Sequence, residues 1–117
     1  MEADIGIWRS ELKRGVMEMC IMKLIEKEEL YGYEIAKTLR TLTKDILNIE
    51  EGTLYPLLRR LEDRGWITGD WKIYRGRARK YYRLTPLGKR ALHEMVNFWW
   101  VLVEEVSKII GGGVMVE

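Results

Sequence analysis

The chain has 117 residues, of which 47% are hydrophobic and 32% charged, a composition typical of one globular domain rather than a disordered chain. No stretch approaches the roughly 18 apolar residues of a membrane span, and the acidic start Met-Glu-Ala-Asp is unlike a signal peptide. A single cysteine, Cys20, permits no internal disulfide and suits a reducing compartment. These features predict a cytoplasmic protein with no membrane partner.

The net charge of +2 conceals an uneven distribution. Residues 71–93 contain eight basic and no acidic residues, which leaves twelve basic against eighteen acidic residues elsewhere. Positive charge concentrated in one segment of an otherwise acidic chain indicates a polyanionic partner, most simply nucleic acid. The alternative is a basic face that only meets solvent.

The first half of the chain predicts two helices. Residues 1–9 are expected to form a loose arm. From Ser10 to about Lys27 the apolar residues form a stripe wider than a helix packed on one side needs, and Cys20 lies within it as a small hydrophobic residue. Leu30 to Tyr33 predicts a turn before a second helix, and Asp45 to Glu50 predicts a loop.

The next stretch, residues 52–67, predicts a short recognition helix of a helix-turn-helix. The alternative is an ordinary amphipathic helix whose arginines only meet solvent. Four leucines recur at the spacing of one helical face, whereas the opposite face carries groups that can donate hydrogen bonds to phosphates or base edges. Pro56 fits best in the first turn, which predicts a helix start near Glu51 or Gly52, and Gly65 is expected at the C-terminal end. The leucines are Leu54, Leu57, Leu58 and Leu61, and the polar face holds Thr53, Tyr55, Arg59 and Arg60.

After Gly65 the pattern changes to alternation, which predicts a β-hairpin. Ile67, Trp71 and Ile73 can share one face of a strand, and a loop is expected over residues 74–78. A hairpin directly after a recognition helix is a wing. Its basic residues are expected to meet phosphates, although an exposed basic hairpin without a ligand stays open; they are Arg75, Arg77, Arg79 and Lys80.

Thr85-Pro86 predicts the start of the last helix, and Gly111 to Gly113 its end, with residues 114–117 frayed. Six apolar residues follow alternating spacings of three and four, as in a coiled coil, and a second apolar stripe runs beside them. So much apolar surface predicts a homodimer, with a helix folded back on its own domain as the alternative. The six residues are Leu92, Met95, Trp99, Leu102, Val106 and Ile109.

Nothing in the sequence favours catalysis. His93 is the only histidine and Cys20 the only thiol. No serine-centred motif, phosphate-binding glycine loop or metal-ligand spacing is present. We therefore expect no enzyme, no cofactor and no metal.

Three stretches resemble the signature of the PadR-type transcriptional regulators: Leu-Tyr-Gly-Tyr-Glu-Ile at residues 30–35, Gly-Thr-Leu-Tyr-Pro-Leu-Leu at residues 52–58, and Tyr-Tyr-Arg-Leu-Thr at residues 81–85. The resemblance runs from about Leu12 into the last helix, and the single C-terminal helix is similar to the short subgroup of the family. It implies a winged helix-turn-helix dimer that binds an operator and usually represses. It also implies that Tyr33, Thr53 and Tyr55 contact DNA and that Arg77 and Arg79 belong to the wing.

The same resemblance implies a ligand. In some members of the short subgroup a tryptophan at the place of Trp99 stacks planar drugs between subunits, and Trp8 and Met95 could line such a site. Two facing indoles are too bulky to interdigitate closely and would leave a flat-walled gap. The alternative is that Trp99 only fills the dimer core.

Together these features predict an α+β, mainly helical chain. Residues 1–85 would form a winged helix-turn-helix domain, including the arm, and residues 86–117 a dimerisation helix and tail. The expected function is a sequence-specific DNA-binding regulator, a homodimeric repressor that binds an inverted-repeat operator in double-stranded DNA and is released by a planar aromatic molecule. The alternative is a winged-helix module that binds a protein partner.

Overall fold

The computed structural model describes residues 2–111. Over that range the order of elements is α1 (Gly6–Lys27), β1 (Leu30–Tyr31), α2 (Gly32–Leu42), α3 (Glu51–Asp63), β2 (Ile67–Tyr74), β3 (Arg77–Leu84) and α4 (Pro86–Ile110). The three strands form one antiparallel sheet in the order β1–β3–β2. The predicted α+β, mainly helical winged helix-turn-helix with a long C-terminal helix is therefore confirmed.

The first helix is longer than the sequence pattern predicts. It begins at Gly6, whose backbone N–H donates to Asp4 Oδ1 at 2.9 Å, and the Arg9 N–H donates to the Ile5 carbonyl at 2.8 Å. The loose arm predicted for residues 1–9 is thus wrong from Gly6 onward. The amphipathic pattern missed this turn because Ile7 and Trp8 are exposed and contribute nothing to the buried stripe.

The turn predicted at residues 30–33 is also wrong. Leu30 and Tyr31 form β1 and pair with Tyr82 and Tyr81 of β3, and Gly32 already begins α2. The Tyr31 N–H donates to Glu34 Oε1 at 3.2 Å, which caps the first turn of α2. A two-residue strand has no alternation of its own, so only its partner in the fold reveals it.

The wing is a hairpin with a two-residue turn. Arg75 and Gly76 adopt φ values of 53° and 75° between β2 and β3, the left-handed geometry that matches the twist of tight hairpins. The loop predicted for residues 74–78 is therefore too long. Tyr74 pairs with Arg77, and Ala78 pairs with Ile73, within the ladder.

One hydrophobic core joins all four helices to the base of the sheet. The largest fully buried side chains are Ile21, Met22, Ile35, Leu54, Leu58, Leu61 and Leu92. Leu92, predicted to face a second subunit, is only 2% exposed within its own chain. Its assignment to the dimer contact is corrected, because the first turns of α4 pack on the core before the helix leaves it.

The start of α4 is fixed by Thr85. Its Oγ1 accepts from the Gly88 N–H at 2.9 Å and donates to the Gly65 carbonyl at 2.6 Å, so the predicted helix start at Thr85-Pro86 is confirmed. A Cβ atom on Gly88 would lie 1.8 Å from the Trp66 carbonyl oxygen. Only glycine permits this close contact between α4 and the chain that enters β2.

The outer half of α4 extends beyond the core. The radius of gyration is 16.3 Å, whereas a compact chain of this length has about 13 Å. The helix ends at Ile110, and Gly111 follows with a φ of 69°. The predicted end at Gly111 to Gly113 thus agrees at Gly111; residues 112–113 and the predicted tail at 114–117 lie outside the described residues. No helix in the described part of the chain is long and apolar enough to cross a membrane.

Candidate nucleic-acid interface

The recognition helix α3 buries its four leucines and leaves two flanks exposed. Leu54, Leu57, Leu58 and Leu61 are the buried residues of this helix, as the sequence predicts. The helix begins at Glu51, as predicted, but Pro56 is its sixth residue rather than part of the first turn. The missing N–H of Pro56 leaves the Gly52 carbonyl without a helical donor. Gly65 follows the helix with a φ of 77°, as expected for its C-terminal end.

The polar residues predicted to share one face of α3 in fact divide between its two flanks. Tyr55 and Arg59 border a groove of about 450 Å³ between α3 and the wing. Thr53 and Arg60 border a second groove of about 700 Å³ between α3 and α1. The wing-side groove also contains Tyr31, Glu62, Trp71, Lys80 and Tyr82.

The two faces of the wing carry different chemistry. Because side chains alternate along a strand, the pairing of Trp71 with Lys80 and of Lys72 with Arg79 puts these pairs on opposite faces. Trp71 and Lys80 are on the inner face, toward α3. Arg77 and Arg79 share the outer face with Lys72, and Arg79 also borders the wing-side groove. The wing can therefore contact a polyanion along its edge and outer side.

Arg79 is held in place by aromatic rings. Its guanidinium carbon lies 4.5 Å from the centroid of Tyr31 and 5.8 Å from that of Tyr74. Arg75 lies 5.3 Å from the same Tyr74 ring. Stacking on a ring fixes the plane of a guanidinium and leaves its edge N–H groups free to donate.

Trp71 and Ile73 are further candidates for the interface, although the sequence predicts them only as strand residues. They are 70% and 80% exposed, although Ile67 on the same face is buried. The strand leaves the core after its first residues, so the alternation that predicts burial at Ile67 fails farther out. The signal that could have identified Trp71 is its position inside the basic segment, where an aromatic residue can contact sugars or bases.

Two of the predicted DNA contacts have acidic partners within the chain. Lys80 Nζ lies 3.0 Å from Glu62 Oε2, and Arg60 NH2 lies 3.3 Å from Glu18 Oε2. Over residues 2–111, the other four predicted cations form no ion pair; they are Arg59, Arg75, Arg77 and Arg79. These four arginines are therefore the predicted cations most available to a phosphate.

The tyrosines of the site remain hydrogen-bond donors. Tyr33 and Tyr55 are both exposed, and the Tyr55 ring lies against Gly32 at the start of α2, where a Cβ would be 2.5 Å from its hydroxyl oxygen. Partial burial of its hydroxyl against Gly32 raises the pKa of Tyr55, and the nearby Glu51 carboxylate raises it further. Its hydroxyl stays protonated at neutral pH and can donate to a phosphate oxygen.

The model of the Transcriptional regulator PadR-like family matches residues 21–94, which include α2, α3 and the wing. The chain belongs to this family. Its relatives include a transcriptional regulator of Mycobacterium tuberculosis, 32% identical over 103 residues that cover 88% of this chain and 90% of that protein. The negative transcriptional regulator PadR of Bacillus subtilis is 32% identical over 80 residues, which are 68% of this chain and 44% of that one.

Solved structures of other PadR regulators are similar to this chain. A PadR family transcriptional regulator from Eggerthella lenta is 36% identical, with a TM-score of 0.81 over 93% of this chain and 94% of that one. A PadR-like regulator from Bacillus cereus is 34% identical, with a TM-score of 0.76 over 88% and 99% of the two chains. The sequence-based assignment to the family is confirmed, and this PadR-like chain is a transcriptional regulator rather than an enzyme.

Residues predicted for the dimer contact and the ligand site lie away from both grooves. Met95 is half-buried against the core, and Trp99 is half-buried with its ring centroid 6.4 Å from that of Trp100. Trp8 is exposed near the start of α1. Neither groove is lined by Trp8, Met95 or Trp99. Farther along α4, Leu102, Val106 and Ile109 are exposed in the single chain.

Proposed function

We propose that this PadR-like regulator is a homodimeric repressor that binds an inverted-repeat operator through α3 and the wing. The observation that carries the proposal is the exposed groove between the two elements, where Tyr55 and Arg59 of α3 lie opposite a basic hairpin. A helix in the major groove can read base edges, while a flanking wing contacts phosphates. Repression is part of the proposal because the Bacillus subtilis relative is named a negative transcriptional regulator.

The proposed contacts divide into two groups. Tyr55 and Arg59 would meet the major groove, and Tyr33 and Thr53 the adjoining backbone. Arg75, Arg77 and Arg79 would meet phosphates beside the wing. Lys80 would contribute less than these arginines, because Glu62 already neutralises it at 3.0 Å.

A second copy of the chain would pack against the outer half of α4 and cover it. Its side chains there include large exposed apolar groups, as do the first turns of α1, and an apolar surface of this extent on a free monomer is unusual. The proposed dimer contact contains Trp99, Leu102, Val106 and Ile109, with Met95 at its inner edge. The division into residues 1–85 for DNA and 86–117 for dimerisation remains a functional proposal, since α1 would serve both.

The proposed effector is a planar aromatic molecule that binds beside Trp99 at the dimer axis. Trp99 is half-buried, and its ring meets the exposed Trp100 ring edge to face at 6.4 Å, so the two indoles offer aromatic surface on which such a molecule can stack. We expect it to quench tryptophan fluorescence and lower operator affinity, and Trp99→Ala to abolish both effects while sparing DNA binding. A Trp99→Ala variant that dissociates into monomers, together with a wild type that no planar ligand quenches, would make Trp99 a structural residue only.

The function is tested by titrating the protein with a labelled random duplex at two salt concentrations. DNA binding predicts measurable affinity at low salt that falls steeply as salt rises, because each phosphate contact releases counterions. No binding at low salt would favour the alternative, a winged helix that binds a protein partner through exposed residues such as Trp71 and Ile73. Sedimentation of the protein alone at micromolar concentration tests the dimer, and a monomer would contradict it.

A further inference from the structure

Glu18 is the charged residue that the described fold buries, with 9% of its surface exposed. It lies in the middle of α1, and its carboxylate faces α3. Oε2 accepts from Arg60 Nε at 3.4 Å and from Arg60 NH2 at 3.3 Å, and Oε1 accepts from Arg64 NH1 at 3.0 Å. One carboxylate therefore holds Arg60 of the recognition helix and Arg64, which follows the end of that helix at Asp63; we name these three residues the Glu18 network.

The position of the two arginines gives the network its mechanical consequence. Arg64 is the C-cap of α3 and keeps helical backbone angles, so Arg60 and Arg64 lie one turn apart on the same flank. The four buried leucines hold α3 in the core. A carboxylate bonded to both arginines adds a polar restraint on the rotation of the helix about its axis and on its distance from α1. Arg59 is about 100° around the helix from Arg60. Its direction into the wing-side groove follows from that rotation.

The network also continues toward the wing. The Arg64 guanidinium carbon lies 5.1 Å from the ring centroid of Trp66, and the Trp66 carbonyl accepts from the Thr85 N–H at 3.0 Å. Trp66 immediately precedes β2. On the opposite flank of α3, Glu62 pairs with Lys80 of the wing at 3.0 Å. Ion pairs thus hold both flanks of the recognition helix, one against α1 and one against the wing.

We infer that Glu18 is a positioning residue for DNA recognition: it holds Arg60 and Arg64 so that α3 presents Tyr55 and Arg59 in one fixed orientation. Base readout needs side chains held within roughly 0.5 Å and 10–20°, whereas phosphate contact tolerates a looser geometry. Glu18 also keeps two cations from binding phosphates at random. This inference rests on the proposed DNA binding, and it gives Arg60 a role through α3 instead of the direct DNA contact predicted from the sequence.

The test compares Glu18→Gln with the wild type on two labelled duplexes of equal length. One duplex is selected from a random library by the wild-type protein, and the other is random. Glutamine keeps the shape of the side chain but removes the charge that holds both arginines. Glu26→Gln is the matched control, because it removes the same charge from α1 and breaks only an exposed pair with Lys23. Binding is measured well below each variant's thermal midpoint.

For Glu18→Gln we expect selected-duplex affinity to fall about tenfold while random-duplex affinity stays equal or rises. The salt slope on random DNA should steepen by about one, as a released arginine finds a phosphate. Glu26→Gln should leave the ratio of the two affinities unchanged. If Glu18→Gln lowers both affinities in proportion, or leaves their ratio at the wild-type value, the positioning role is wrong.

If Glu18→Gln fails to fold, Arg60→Gln tests the positioning role instead. In that variant Arg64 still donates to Glu18, so the buried carboxylate keeps a partner. A positioning role predicts a lower ratio of selected-duplex to random-duplex affinity, with an unchanged salt slope on random DNA. A direct phosphate contact predicts that both affinities fall together and that the slope decreases by about one; that result would overturn the inference. A wild type that binds no duplex at low salt would overturn the proposed function and the role of Glu18 with it, whereas normal wild-type binding with an insensitive Glu18→Gln overturns only the latter.

Discussion

The wing and the outer half of α4 both extend from the core, but the wing is rich in positive charge whereas α4 exposes a long apolar face. The wing also exposes Trp71 and Ile73 on its inner face. The wing presents Arg75 and Arg77, with few acidic neighbours beyond Asp70, whereas α4 presents Phe98, Trp100 and Ile109. An arginine exposed to water costs little free energy, so the arginines do not destabilise the wing when no DNA is bound. An exposed apolar helix face is unfavourable in water. We therefore expect the α4 surface to be covered permanently and the wing only when DNA is bound.

The two surfaces should also respond differently to salt. Phosphate contacts of the wing weaken as counterions compete for them, while apolar burial along α4 does not weaken. A salt concentration that releases DNA should leave the dimer intact.

The largest expected effect comes from charging the α4 surface. In Leu102→Glu with Val106→Glu, each subunit loses two apolar contacts worth roughly 1.5–3 kcal/mol each and must bury carboxylates without partners. We expect a monomer by sedimentation velocity at micromolar concentration, and operator affinity reduced by about 100-fold or more because the two half-sites are no longer linked.

Glu105→Gln is the control for that variant. It changes an exposed residue of the same helix that pairs with Lys108 at 3.0 Å, and it should remain a dimer. A double-glutamate variant that still sediments as a dimer would show that the second copy binds elsewhere.

The next effect concerns the close contact between α4 and the chain that enters β2. Gly88→Ala would put a methyl group 1.8 Å from the Trp66 carbonyl oxygen, so α4 or the base of the wing must move. We expect the free energy of unfolding to fall by about 3 kcal/mol in a urea titration. Gly15→Ala, where a Cβ meets nothing within 4 Å inside α1, should instead gain about 0.5–1 kcal/mol; equal behaviour of the two variants would refute the close contact.

A smaller effect is expected from the wing alone. Arg77→Ala with Arg79→Ala should weaken binding to operator and random DNA alike and reduce the salt slope by about two, one for each lost phosphate contact. The control, Lys23→Ala with Lys108→Ala, removes two cations that already pair with Glu26 and Glu105, and it should leave the slope unchanged. Normal random-DNA binding with lost operator preference would assign these arginines to base readout instead.

The smallest effect distinguishes the buried base of the wing from its exposed tip. Burial, with smaller contributions from Glu62 and Tyr55, raises the pKa of Tyr82 from 10.0 to about 12. The phenolate is thus disfavoured in the folded state, so this contribution to stability is complete below pH 10 and is lost as the pH rises from 10 toward 12. Urea titrations at pH 9 and pH 11 should show a decline that Tyr82→Phe reduces and Tyr74→Phe, at the exposed end of the strand, does not.

The sequence predicted the elements whose periodicity reflects burial. The leucines of α3 and the start of α4 at Thr85-Pro86 follow from local rules of spacing and capping, and the structure agrees. Gly6 to Arg9 and the short strand at Leu30 were missed, because an exposed helical turn and a two-residue strand leave no periodic pattern. Leu92 was misassigned since a heptad pattern cannot tell which of its positions pack on the helix's own domain.

The site was predictable in composition but not in arrangement. Basic residues after a leucine-faced helix indicate a wing, and local sequence suffices for that. The partners of Arg60 and Lys80 are 42 and 18 residues away along the chain, so no local pattern reveals that they are already neutralised. The division of Thr53 and Tyr55 between two grooves likewise depends on where α1 and the wing pack.

The proposed function is tested most directly by the stoichiometry and footprint of the protein on a duplex that it selects from a random library. We predict two subunits bound to one duplex, with protection of two inverted half-sites whose centres are about 34 Å apart or a multiple of that distance. Protection of a single asymmetric site by one subunit would contradict it, because neither the α4 surface nor the symmetry that it imposes would then contribute to DNA binding.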